Sequence, residues 1–167
     1  MSIFSTKTSR LTHLFEVAGA PDPLSWAKSE IDEDIPQLAR FMFLRQAWRL
    51  VVADADVQWI DREIQQSTHS PEAPGAGLGQ ALSRLLNSGA SREDLTELAR
   101  TVQWQLLHGL CYQLSDPSIQ EPELSEVRWG LFEVNDKGEV GRPIDGLHES
   151  VLETDPTGRE MRPRDAV

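Results

Sequence analysis

The chain has 167 residues, 39% of them apolar, and a formal charge of −11 at pH 7, a make-up suited to one ordinary domain with its own core. Its 27 acidic residues outnumber 16 basic ones, which argues against nucleic acid and anionic membranes, since both demand clustered Lys and Arg. The single cysteine, Cys111, excludes an internal disulfide and a cysteine-built metal site.

The first residues imitate an export signal: Lys7 and Arg10 precede Leu11 to Phe15, and Ala18-Gly19-Ala20 resembles a cleavage box. His13 and Glu16 interrupt that apolar stretch, which is too short and polar for the part. No run approaches the roughly 20 apolar residues that span a bilayer. A soluble cytoplasmic protein with neither nucleic-acid nor membrane partner is the expectation.

In chain order, Thr8 to Val17 reads as a short helix with Leu11, Leu14 and Phe15 on one face, ended by Gly19 to Pro23. Pro23 to Ile31 reads as a second helix that turns Trp26 and Ala27 inward. Asp34 is the expected N-cap of the main helix, with Pro36 in its first turn. That helix is expected to run to about Gln66, with a break near Asp54-Ala55-Asp56 as the alternative. From Leu38 to Val52 it is apolar nearly all round, as a central buried helix would be.

Ser70 to Gly79 reads as a loop. Leu78, Leu82, Leu85 and Leu86 mark a short amphipathic helix closed by Gly89. Ser91 opens the next helix, with Glu93 and Asp94 in its first turn. Leu95, Leu98, Ala99, Val102 and Leu106 trace one apolar face; Trp104, Leu107, Cys111 and Leu114 trace a second. Asp116-Pro117 stops the helix. Val127 to Val134 and Glu139 to Ile144 then read as a hairpin across Asn135 to Gly138, with a bulge or two-sided burial where the apolar phase slips at Leu131-Phe132. Asp155 to Gly158 reads as a type I turn suited to a second hairpin.

The fold expected is α+β: a single domain over 1–167, with a mostly helical body at 1–114 containing four to five helices, one of them long and central. A C-terminal β-hairpin or small antiparallel sheet forms an acidic, turn-rich appendage at 115–167. That last segment holds six basic and thirteen acidic residues.

Leu82 to Thr101 has the outline of a helix-turn-helix, but Glu93, Asp94 and Glu97 at the start of its second helix would repel phosphate, so a plain helical hairpin is read. His108 and Cys111 share a helix face, but with no local acid to orient the imidazole they read as core. Asp54, Asp56, Asp61 and Glu63 read as a solvated helix face. No glycine-rich phosphate loop appears, since the glycines at 75, 77 and 79 lack a preceding strand and a following lysine.

Two groups stand out. Asp145, His148, Glu149, Glu153 and Asp155 crowd eleven positions, as a partner-binding, acid–base or metal cluster would, although their spacing matches no metal motif. Arg40, Arg45 and Arg49 lie on the apolar helix with no acid one turn away. Buried, they need tertiary partners, for which Glu121, Glu123 and Glu126 are the first candidates; the alternative is that they snorkel to water. The leading functional expectation is a non-enzymatic interaction or regulatory protein that binds a more basic protein partner. The alternatives are a hydrolase or isomerase with a site around His148, with or without a divalent metal, and a helical small-ligand binder. No cofactor is implied, and nothing in the spacing sets an oligomeric state.

Overall fold

A computed structural model of the protein describes residues 3–164. It is α+β, with seven α-helices among the described residues: α1 Ile3–Ala18, α2 Pro23–Asp32, α3 Gln37–Trp48, α4 Trp59–His69, α5 Gly77–Asn87, α6 Arg92–Ser115 and α7 Leu147–Ser150. One antiparallel pair, β1 Phe132–Val134 and β2 Val140–Pro143, forms the sheet. No helix among the described residues is long and apolar enough to cross a membrane. The chain divides into two compact units, Met1–Trp48 with Leu107–Val167, and Arg49–Leu106.

In the first unit, local signals set the helix ends. Gly19 closes α1 in the left-handed conformation (φ 77°), a geometry that only glycine adopts without strain. Asp22 caps α2 by accepting from the Ser25 amide at 3.1 Å. The apolar faces of α1, α2 and α3 meet in an aromatic cluster. Phe15 stacks on Trp26, and Phe41 sets its ring edge-on to both, with centroids 5.4–5.9 Å apart. Trp48, at the end of α3, donates from its indole to the carbonyl of Val151 at 3.0 Å, while Leu147 and Val151 are fully buried.

Asp34 does not cap α3. Its φ is 53° and its side chain is exposed. The cap comes instead from α2, where a carboxylate oxygen of buried Glu30 accepts from the Leu38 amide at 2.8 Å. Negative charge there complements the positive end of the helix dipole.

The expected long helix is two helices of 12 and 11 residues, separated by residues 49–58. The reason lies in the second unit. The Val52 amide donates to the side chain of Gln103 at 2.7 Å, and its carbonyl accepts from Arg100 at 3.0 Å. Both Val52 backbone groups are thereby held by α6 rather than by a helix of their own. Around this turn Trp59, Ile60, Leu82 and Leu95 form a core, and the Trp59 indole donates to fully buried Thr96 at 2.9 Å. Helices α4 and α5 approach closely at Gly79, where an added Cβ would lie 2.7 Å from the Ser67 Cβ and closer still to the Glu63 carbonyl. The expected loop at 70–79 therefore ends earlier, because Gly77 and Gly79 begin α5. Gly89 (φ 94°) and Ser91 act as expected, the Ser91 hydroxyl accepting from the Asp94 amide at 2.9 Å.

Helix α6 splits the first expected face: Leu95 is buried and Ala99 packs against the core, whereas Leu98, Val102 and Leu106 are exposed. Cys111 of the second expected face is buried, as is Arg100. Gly109 lies in the helix interior, where glycine is about 1 kcal/mol less favourable than alanine. A Cβ at Gly109 would meet nothing within 4 Å, so nothing in the chain's own packing explains glycine there.

The hairpin is shorter than expected. Phe132 pairs with Pro143 and Val134 with Val140, so the extra residue lies in β2 rather than β1. Its apolar Phe132, Val134 and Val140 face outward. No second hairpin forms among the described residues: 145–155 makes α7 and turns, and Asp155 to Gly158 is a turn closed by a 2.9 Å bond from the Gly158 amide to the Asp155 carbonyl.

Candidate functional site

Within the first unit, β2 lays Arg142 beside Glu133 of β1. Its guanidinium binds that carboxylate with two bonds, 2.8 and 3.1 Å, the fork geometry that makes arginine–carboxylate pairs strong. The same guanidinium donates to Glu30 at 3.0 Å and lies 3.5 Å from Asp34. These bonds, led by that to Glu133, raise the Arg142 pKa above its ordinary value.

Arg40 of α3 is 5% exposed. Its guanidinium donates to the Gly146 carbonyl at 2.6 Å and to the Ser150 hydroxyl at 3.0 Å, with Glu149 3.9 Å away. Burial lowers its pKa, opposed first by Glu149 and then by Glu153, Glu33 and Asp145. Gly146 is required at this point. It is left-handed (φ 66°), and a Cβ would sit 3.1 Å from the Arg40 guanidinium and 3.0 Å from the Glu149 carboxylate.

These residues border a cavity of about 480 Å³ lined by Asp34, Pro36, Arg40, Arg142, Asp145 and Glu149, among others. Two guanidiniums stand there against Glu30, Glu133, Asp34, Asp145 and Glu149. Both arginines are already engaged, whereas Asp34, Asp145 and Glu149 are exposed at the mouth. Asp145 makes no hydrogen bond or ion pair among the described residues. The capacity left over is for positive charge, which excludes an anion site of the usual arginine kind.

The sequence-predicted residues disperse. Asp145 and Glu149 lie at this cavity, and Glu153 acts on Arg40 through its charge. Buried Asp155 ties its own turn, accepting from the Thr157 amide at 3.0 Å, the Thr157 hydroxyl at 2.7 Å and the Met161 amide at 3.0 Å. His148 packs elsewhere, its ring 5.0 Å from Tyr112 and 6.2 Å from His108 between centroids. Its Nδ1 is buried without a hydrogen-bond partner among the described residues, so no carboxylate orients the imidazole for acid–base work. Cys111 is buried, and desolvation pushes its thiol up to about 11, which leaves little thiolate near neutrality. Among the described residues no three His, Cys, Asp or Glu side chains are placed to hold a metal ion. Asp56, Asp61 and Asp54 lie against Arg62, Arg92 and Arg100 respectively.

The arginine trio also separates. Arg40 finds partners in the C-terminal segment, but they are a carbonyl, a hydroxyl and Glu149, not Glu121, Glu123 or Glu126. Those three glutamates are exposed and make no ion pair among the described residues. Arg45 is half-buried, with no described partner, and Arg49 is exposed. Sequence reasoning missed the pairing of Arg142 with Glu30 and Glu133, because nothing local singles out Arg142.

A second surface adjoins β1 in sequence. Leu124, Val127, Trp129, Phe132, Val134 and Val140 are all exposed large apolar residues. Interspersed among or flanking them are Glu121, Glu123, Glu126 and Asp136, also exposed and unpaired among the described residues. The Trp129 indole is held by a 2.7 Å bond to the Gln113 carbonyl, which fixes the ring without covering it. No protein-family model, no curated protein and no solved structure matches this chain.

Proposed function

We propose that this is a cytoplasmic, non-enzymatic interaction protein whose C-terminal third binds a more basic protein partner. The observation that carries the reading is the alternation of exposed apolar side chains with unpaired carboxylates from Glu121 to Val140. Exposed aromatic and aliphatic side chains supply the burial that drives association. The carboxylates supply the charge that steers a basic partner and sets its register. The cavity beside Arg142 fits the same partner, since Asp34, Asp145 and Glu149 are exposed at its mouth and Asp145 makes no ion pair among the described residues, an arrangement suited to a lysine or arginine side chain. A single buried cysteine agrees with a reducing compartment.

The test compares wild type with two variants, Trp129→Ser and Glu121→Gln/Glu123→Gln/Glu126→Gln, in capture from the native cell extract at low and high salt. The expected partner is basic, is released by salt, and is lost or weakened with both variants. A partner retained equally by both variants, or one with no basic surface, overturns the reading. Trp129 and the three glutamates are exposed, so the substitutions leave the core untouched.

A further inference from the structure

The sheet has two strands among the described residues, so each strand has an outer edge, and the two edges differ. The flanking bonds fix which backbone groups face outward. The Ile144 amide donates to the Leu131 carbonyl at 2.8 Å and the Asn135 amide to the Glu139 carbonyl at 3.1 Å. The pairs they enclose, Phe132 with Pro143 and Val134 with Val140, are therefore of the non-hydrogen-bonded kind, whose backbone groups point away from the partner strand. On β2 that edge is blunted. Pro143 has no N–H to offer, and the bulge opposite Glu133 breaks the spacing. Neither device is present on β1. The amides and carbonyls of Phe132 and Val134 make no hydrogen bond among the described residues, and the two residues are 46 and 66% exposed.

We infer that a basic partner adds an extended segment to the outer edge of β1 as a third strand. This rests on the reading of the hairpin surface as the place where such a partner binds. The outward amides and carbonyls of Phe132 and Val134 supply the main-chain bonds. Strand geometry then sets the pattern of the segment. Phe132 and Val134 share one face of the sheet with Val140, so every second residue of the added strand is apolar. Charge sets the rest. Residues 121–140 hold six acidic and two basic side chains, and Glu121, Glu123, Glu126 and Asp136 make no ion pair among the described residues. The intervening residues of the segment are accordingly lysine or arginine. A second copy of this chain on the same edge would set that acidic stretch against itself.

The probe is a synthetic peptide alternating valine and lysine, added to the full chain at low salt while amide hydrogen exchange is followed by NMR. In the chain alone the Phe132 and Val134 amides are expected to exchange faster than those of Asn135 and Ile144, which are bonded within the hairpin. Saturating peptide is expected to slow the first two by at least about tenfold. The same peptide with glutamate in place of lysine is expected not to bind. Val134→Pro removes one outward donor and no bond between β1 and β2, and is expected to weaken lysine-peptide binding by at least about tenfold. Failure of the lysine peptide to bind overturns the inference, as does binding that leaves the Phe132 and Val134 amides unprotected or equal binding of the glutamate peptide. Protection that grows with chain concentration in the absence of peptide places a second copy on the edge and also overturns it. If Val134→Pro loses the protection of Ile144, the wild-type exchange decides alone. A basic partner captured from extract through Trp129 and the three glutamates, together with an unprotected β1 edge, overturns strand addition while leaving the broader reading in place.

Discussion

Arg142 and Glu30 lie 112 positions apart in sequence, yet the guanidinium of one donates to the carboxylate of the other at 3.0 Å. The second oxygen of Glu30 receives the Leu38 amide. One buried carboxylate therefore ties the hairpin to the start of α3 while replacing a cap that the local sequence does not provide.

Removing either member leaves the other short of partners. Arg142→Met is expected to cost about 2 kcal/mol in urea unfolding, less than a fully buried pair would because Arg142 reaches solvent. Glu30→Gln keeps an acceptor for the Leu38 amide, so it is expected to cost less than Glu30→Ala. An Arg142→Met protein with the wild-type midpoint would show that this pair does not anchor the hairpin.

Arg100 is 1% exposed and holds the Val52 carbonyl. Arg100→Leu strips that acceptor and leaves nearby Asp54 without its cation, 3.9 Å away. The expected loss is about 3 kcal/mol. Arg45→Leu, at a half-buried residue with no described partner, is expected to change stability by less than about 0.5 kcal/mol. Equal effects from the two substitutions, measured by thermal or chemical unfolding, would contradict the role given to Arg100.

Gly79 and Gly77 stand two residues apart in α5 and should respond oppositely. A Cβ at 79 collides with Ser67 and with backbone at Glu63, which cannot swing away, so Gly79→Ala is expected to destabilise by about 2 kcal/mol. At Gly77 the space is open, and Gly77→Ala is expected to be neutral or to stabilise by up to about 1 kcal/mol. Paired melting curves decide it.

The pH dependence has two opposed contributors. Desolvation by its neighbours raises the Glu153 carboxyl above its ordinary 4.5, with Arg40 opposing and Glu160 and Asp22 adding to the rise. The folded state then holds that proton more tightly than the unfolded state does. Its contribution is favourable at low pH and declines as pH climbs from 4.5 through the raised folded value. Glu153→Gln is accordingly expected to raise the melting temperature near neutrality and leave it unchanged in acid. A lower melting temperature near neutrality would mean that attraction to Arg40 dominates. Asp56 acts in the reverse sense: the hydrogen bond from Arg62 lowers its pKa, so its contribution is present at neutral pH and is lost as pH falls through the folded value.

What the sequence alone determined is local. Gly19, Gly89, Ser91 and Asp116-Pro117 mark helix ends that the structure shows, because caps and stops act on groups within about four residues. The Asn135 to Gly138 turn likewise follows from a glycine at φ 79°. The break that the sequence offered at Asp54-Ala55-Asp56 lies within the observed gap between Trp48 and Trp59; the tertiary structure decided that the chain leaves the helix before Val52, since Gln103 and Arg100 reach that residue from 51 and 48 positions away. It also decided which face of α6 is buried, because that helix carries apolar side chains nearly all round and periodicity cannot choose between two such faces. Arg40 shows both halves of the lesson: a buried cation required a partner, but the carbonyl of Gly146 and the hydroxyl of Ser150 serve as well as a carboxylate, and no pattern of charges along the chain points to them.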